Sequence, residues 1–156
     1  MKRILPMILC LTLLCAACQG KPTHHSDAEQ LRQEIRSFLE ERGSFTEADP
    51  DFIESNFEFD PPIVSGTVYF EEQSDTEIGF FKVADPKDLS AAERSVKSYL
   101  SREAESAASI SELYPSEAAD KRRQRFENAT VHTIGEVIVY YVMEKEDALL
   151  LEGRLS

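Results

Sequence analysis

Six consecutive residues, Val137-Ile138-Val139-Tyr140-Tyr141-Val142, constrain this chain more than any other stretch. They are uncharged, and their β-branched and aromatic side chains suit a pleated, extended backbone. A strand with one wet face alternates apolar and polar residues. A run that is apolar at every position needs cover on both faces. The run therefore predicts a central strand, which must be found neighbours and covering layers elsewhere in the sequence.

The neighbours are legible. Val131 to Ile134 precedes the run across a turn at Gly135. Val64 to Glu71 and Ile78 to Ala84 are also rich in β-branched and aromatic residues, and the polar loop 72–77 between them predicts a hairpin. Asp85-Pro86 ends the second of these strands.

The covering layers read as helices. Ser26-Asp27-Ala28-Glu29 is a capping box, followed by Leu31, Ile35, Phe38 and Leu39 at helical spacing and by Gly43 at the stop. This helix has one narrow apolar stripe, which must dock on the domain or on a partner. Asp49-Pro50-Asp51 supplies an N-cap with Pro at the first helical position, predicting a short helix through Phe52 and Ile53. Asp60-Pro61-Pro62 repeats that signal and predicts another turn near Ile63 and Val64. Phe45, Phe52, Phe57 and Phe59 read as core. Ser90-Ala91-Ala92-Glu93 is a second capping box, and Leu89, Val96, Tyr99, Leu100, Ala107, Ile110 and Leu113 mark a long helix that Pro115 interrupts. Another helix runs from about Ser116 to Phe126. A last one spans Glu144 to Leu155 with Leu149, Leu150, Leu151 and Leu155. Strands segregated into two pairs among helices predict an α+β domain with an antiparallel sheet of about four strands. Residues 49–156 form that domain, and residues 26–48 an N-terminal helix and linker.

Residues 1–17 read differently. Lys2 and Arg3 precede the uncharged stretch Ile4 to Ala17, the layout of a secretory signal. The stretch falls short of the roughly 20 residues of a membrane-spanning helix. It ends in Leu14-Cys15-Ala16-Ala17-Cys18. The C-x-x-C could be a redox pair, but a redox thiol needs a folded site that lowers its pKa, and Cys15 lies inside the leader. Small residues just before a cysteine are what a lipoprotein signal peptidase accepts. Cys18 is thus expected to carry a lipid anchor; a plain cleaved signal is the alternative. Gln19 to His25 then forms a tether. His24-His25 lacks companion ligands and is not read as a metal site.

All three cysteines lie between residues 10 and 18, so the folded part has no disulfide. The chain carries 17 basic and 29 acidic residues, and removing Lys2 and Arg3 takes the net charge from −12 to −14. Such a body is repelled by nucleic acid and anionic lipid surfaces. Nucleic-acid binding is not expected on that ground, and membrane contact is assigned to the lipid on Cys18.

No metalloprotease, nucleophile-elbow, P-loop or dinucleotide motif is present. Beyond the tether the sole histidine is His132, read as an ordinary strand residue; any Ser/His/Asp site would need it. Acidic pairs such as Glu71-Glu72 follow from composition. Lys121-Arg122-Arg123-Gln124-Arg125 stands out, with four cations in five positions. On a helix, Lys121 and Arg125 share a face while Arg122 and Arg123 turn away. The cluster is either a solvated helix end favoured by the macrodipole or a site for an anion or acidic partner.

Certain motifs carry a resemblance. Asp60-Pro61 before the first strand is followed by Glu77-Ile78-Gly79-Phe80-Phe81-Lys82-Val83, then by Tyr114-Pro115, and then by Glu127-Asn128-Ala129 leading to Gly135 and the apolar strand. From about Phe52 onward the chain resembles the domain-of-unknown-function 4358 family, small lipoproteins mostly of low-GC Gram-positive bacteria. The resemblance implies an extracytoplasmic location and a fold. It implies no catalytic residue.

The functional expectation is a lipid-anchored extracytoplasmic binding or interaction module of the cell envelope, meeting an envelope protein or polymer. It has no cofactor and no assigned catalytic residue. A cell-envelope hydrolase using carboxylates is the alternative.

Overall fold

The computed structural model describes residues 28–43, 45–71 and 74–156. Within it the apolar run Val137–Val142 forms strand β5, buried at every residue. The other strands are β1 (Phe45–Glu47), β2 (Ser65–Glu71), β3 (Glu77–Lys82) and β4 (Thr130–Ile134). They join in one antiparallel sheet of order β1-β2-β3-β5-β4. The two predicted hairpins meet where β3 pairs with β5. The expectation of about four strands becomes five, because Phe45–Glu47 adds β1 against the outer edge of β2.

Side-chain alternation along β5 feeds two cores. Ile138, Tyr140 and Val142 face one layer with Val68, Phe81, Val96, Tyr99 and Phe126. Val137, Val139 and Tyr141 face the other, with Leu31, Ile35, Phe38 and Leu151. The first layer is built by α2 (Pro50–Asn56), α3 (Leu89–Leu113) and α4 (Glu117–Glu127); the second by α1 (Ala28–Arg42) and α5 (Lys145–Leu155). Helices thus cover both faces, as the sequence of β5 requires.

The narrow stripe of α1 docks on the sheet: Leu31, Ile35, Phe38 and Leu39 are its buried residues. Its C-terminal end is tied to α5 by Arg42–Asp147 and Arg154–Glu41 ion pairs. The Ser26 side of the predicted capping box lies outside the described residues, as do the leader, Cys18 and His24-His25.

Several local expectations are corrected. Asp49 caps α2 as predicted, accepting from the Asp51 backbone N–H at 3.0 Å with Pro50 in the first turn. Asp60-Pro61 does not start a helix: the bond is cis, and the chain turns directly into β2. The start of α3 is set one turn before the predicted Ser90 box. Asp85 caps a short 3-10 turn, Pro86–Asp88, that runs straight into the helix. Of the α5 leucines, Leu151 is buried, whereas Leu149 and Leu150 are exposed. Three leucines in succession span too wide an arc for one helix face to bury.

One close approach fixes how β3 and β5 sit together. Gly79 lies opposite Tyr140 in the register. A Cβ at position 79 would fall 1.8 Å from the Tyr140 ring. The aromatic ring lies across the space that a side chain would fill.

Candidate functional site

Glu77 opens β3 and lies opposite Val142, on the same face of the sheet as Tyr140. It is 4 % exposed. A carboxylate that deep must be given hydrogen bonds or be neutralised. The fold supplies two phenols. Tyr99, projecting from α3, donates to Oε2 at 3.0 Å, and Tyr140 donates to Oε1. Burial dominates and pushes the Glu77 carboxyl up to about 7, against the opposing pull of the Tyr140 and Tyr99 hydrogen bonds. Glu103 raises it further and Arg122 lowers it. The two phenols are themselves held far above their ordinary range, by burial first and then by the Glu77 charge.

Beside this triad lies a cavity of about 200 Å³. Phe52 from α2, Phe70 from β2, Phe126 from α4 and Tyr99 from α3 give it aromatic walls. Asp75 from the β2–β3 turn, Glu103 from α3 and Arg122 from α4 complete the charged lining with Glu77, and Ser74 and Thr76 add hydroxyls. The turn is anchored locally, with the Thr76 N–H donating to the Ser74 hydroxyl at 3.1 Å and the Glu71 N–H donating to the Thr76 carbonyl at 3.1 Å. Arg122 spans the site. Its Nη1 donates to Asp75 at 3.0 Å and its Nη2 to Glu103 at 3.4 Å, with the guanidinium 5.3 Å from the Phe126 ring centroid. Its Nε is buried and meets no acceptor among the described residues.

The basic cluster is therefore split by the structure. Arg122 turns inward to the cavity. Lys121 stays exposed and pairs with Glu117 at 2.7 Å, and Arg123 pairs with Glu127 at 2.9 Å, both one helical turn apart. Arg125, only 14 % exposed in its side chain, reaches Glu144 at 2.8 Å and approaches Asp75 at 3.8 Å. Lys121 and Arg125 share a face as expected and line a larger recess of about 500 Å³ between α4 and α5. Size does not make that recess the better candidate. The two α4 cations that line it already meet carboxylates, whereas the smaller cavity holds a buried carboxyl and an orphaned donor.

His132 sits on β4 in a chain of its own. The Tyr141 hydroxyl donates to Glu152, and His132 Nε2 lies 2.8 Å from the Tyr141 oxygen. With the phenol proton committed to Glu152, His132 Nε2 is the donor in that contact. Burial pushes the Tyr141 phenol up, and the hydrogen bond to Glu152 adds to it. Of this chain, Tyr141 and Glu152 line the larger recess.

Among the described residues no group of three or more His, Cys, Asp or Glu is arranged to hold a metal ion, and no helix is long and apolar enough to cross a membrane. Glu77, Tyr99 and Glu103 were missed by reasoning from sequence. Glu77 begins an apolar strand, where a charged residue ordinarily marks a solvated end, and its tyrosine partners lie 22 and 63 residues away. A carboxylate abutting Ile78-Gly79-Phe80-Phe81 was the one available hint.

Compared with known proteins, the chain matches no family model, no curated protein and no solved structure.

Proposed function

We propose that this chain is a lipid-anchored extracytoplasmic binding module, held at the cell membrane through Cys18 and binding its ligand in the cavity beside Glu77. The observation that carries the binding reading is a carboxyl 4 % exposed, raised to about 7 and facing an aromatic-walled cavity. Keeping it buried lowers the stability of the fold at neutral pH. Perturbed groups of this kind cluster at functional sites. The anchor rests on the sequence around Ala16-Ala17-Cys18, and the resemblance to the domain-of-unknown-function 4358 family supports the same location.

A second reading draws on the same carboxyl. A glutamic acid held near neutrality is what general acid catalysis requires, so a carboxylate-based envelope hydrolase using Glu77 is the alternative. Loss of an envelope-polymer cleavage activity in Glu77→Gln would favour it.

The anchor is tested by metabolic labelling with a fatty-acid probe. Cys18→Ser abolishes the label, because only that thiol can take the diacylglyceryl group, while Cys15→Ala leaves it intact. Label persisting in Cys18→Ser would remove the anchor from the proposal.

A further inference from the structure

We infer that the larger recess between α4 and α5 is a second binding site, independent of the cavity beside Glu77. Its ligand is a small polyhydroxylated anion, a sugar bearing a carboxylate or a phosphate. The anionic group rests on Lys145, and the hydroxyls meet Gln124, Asn128 and Glu152.

The recess holds about 500 Å³, inside the range of roughly 300–1,000 Å³ usual for small-molecule sites. Its lining reverses the charge of the protein. The chain carries a net charge of −12, yet Lys121, Arg125 and Lys145 line the recess against only Glu144 and Glu152. Both of those carboxylates are engaged, Glu144 by Arg125 at 2.8 Å and Glu152 by the Tyr141 hydroxyl. Lys121 is held by an exposed pair with Glu117 one helical turn away, a kind of pair that contributes little. Lys145 meets no carboxylate among the described residues. The sequence accounts for that. Three and four residues further along α5 stand Ala148 and Leu149, so no acid lies one turn away. An uncommitted ammonium in a locally positive recess attracts an anion, even on a protein that repels anions at long range.

The neutral groups select what carries the charge. The Gln124 carboxamide makes no hydrogen bond among the described residues, so it can both donate and accept. Asn128 donates its Nδ2 to the Gln124 carbonyl at 2.7 Å, which leaves its side-chain oxygen open. Glu152 receives Tyr141 on Oε1 and keeps Oε2 as an acceptor. Hydroxyls, which donate and accept in turn, suit such a set. Ala148 and the exposed Leu149 offer apolar surface to the C–H face of a sugar ring. A bare phosphate or acetate would use the ammonium and leave these groups to water. A neutral sugar would use them and leave the ammonium.

The test uses the full chain in detergent micelles at pH 7.5, titrated with matched probes and followed by calorimetry and by the side-chain amide resonances of Gln124 and Asn128. Glucuronate and glucose 6-phosphate carry both features, glucose only the hydroxyls, acetate and inorganic phosphate only the charge. One of the first two should bind about tenfold or more tightly than glucose, acetate and phosphate, as a charge-assisted hydrogen bond contributes. The tighter of the pair identifies the anionic group. Lys145→Met should lower that affinity to that of glucose and leave glucose unchanged. Gln124→Met should lower it about threefold or more, the share of a neutral hydrogen bond, without moving acetate or phosphate. Both substitutions are at exposed helical positions, so the fold has no packing to lose. Glucose binding as tightly as both acidic sugars, or their affinity unmoved in Lys145→Met, overturns the anionic ligand. Acetate or inorganic phosphate binding as tightly overturns the sugar. Silence from all five probes removes the second site and leaves the cavity beside Glu77 as it stands, because neither substituted residue lines that cavity.

Discussion

Replacing Glu77 by glutamine should flatten the pH dependence of stability in a predictable direction. The folded-state carboxyl stands at about 7 against an ordinary value of 4.5. The folded protein therefore binds more protons than the unfolded chain between those values. The protonated carboxyl contributes stability that is fully present below about pH 4.5 and is lost as pH rises through about 7. Integrating that proton difference from pH 5 to pH 8 gives a loss of about 2.5 kcal/mol attributable to this one group. It is a sizeable share of the roughly 5–15 kcal/mol typical of a domain. Glutamine is close in shape, offers its oxygen to one phenol and its amide to the other, and cannot ionise. Any constant cost of the amide cancels when slopes are compared. The assay is urea unfolding of wild type and Glu77→Gln at pH 5, 6, 7 and 8. Wild type should lose about 2.5 kcal/mol relative to the variant over that range. Parallel curves would mean the carboxyl titrates alike in both states. A wild type that gains on the variant as pH rises would mean that the phenol hydrogen bonds outweigh burial.

Gly79→Ala should destabilise by about 3 kcal/mol or more, the upper end for overpacking, because the new methyl collides with a Tyr140 ring packed among Phe57, Phe81 and Tyr99; chemical denaturation showing a wild-type midpoint would refute that packing. Among the α4 cations, Arg123→Gln should change stability by no more than about 0.5 kcal/mol, as exposed helix pairs do. Arg125→Gln should cost about 1.5 kcal/mol or more, since losing its largely buried guanidinium leaves Glu144 without its partner and Asp75 with Arg122 alone; equal effects in the same denaturation assay would show that Arg125 is no better held than Arg123.

The fold was legible where pattern is local. Doubly apolar β5, the cap at Asp49, the helix start near Ser116, the stop at Gly43 and the break before Pro115 all write their instructions within a few residues. β1 was hidden because three residues, Phe45-Thr46-Glu47, are too few to show a period. Which of Leu149, Leu150 and Leu151 faces inward was not legible, because composition reports hydrophobicity without direction. The site was the least legible part. Arg122 and Arg123 are neighbours of the same type, yet one spans Asp75 and Glu103 while the other meets Glu127 on the surface. Only the docking of α4 against α3 and the β2–β3 turn distinguishes them, and that is a long-range fact.

Tyr140 and Tyr141 are consecutive, yet their hydroxyls end on opposite sides of the sheet, one on Glu77 and the other on Glu152. A strand as uniformly apolar as β5 has no wet face to tell it which way up to lie, so greasiness alone would accept a slip of one residue. Such a slip would carry each phenol to the wrong side, away from its acceptor, and would lay the Tyr140 ring over a neighbour that has a Cβ in place of Gly79. The two tyrosines and the glycine act as a key cut for a single lock. The hydrogen bonds of the two phenols to Glu77 and Glu152 thereby serve assembly, because they give an otherwise featureless strand one acceptable alignment.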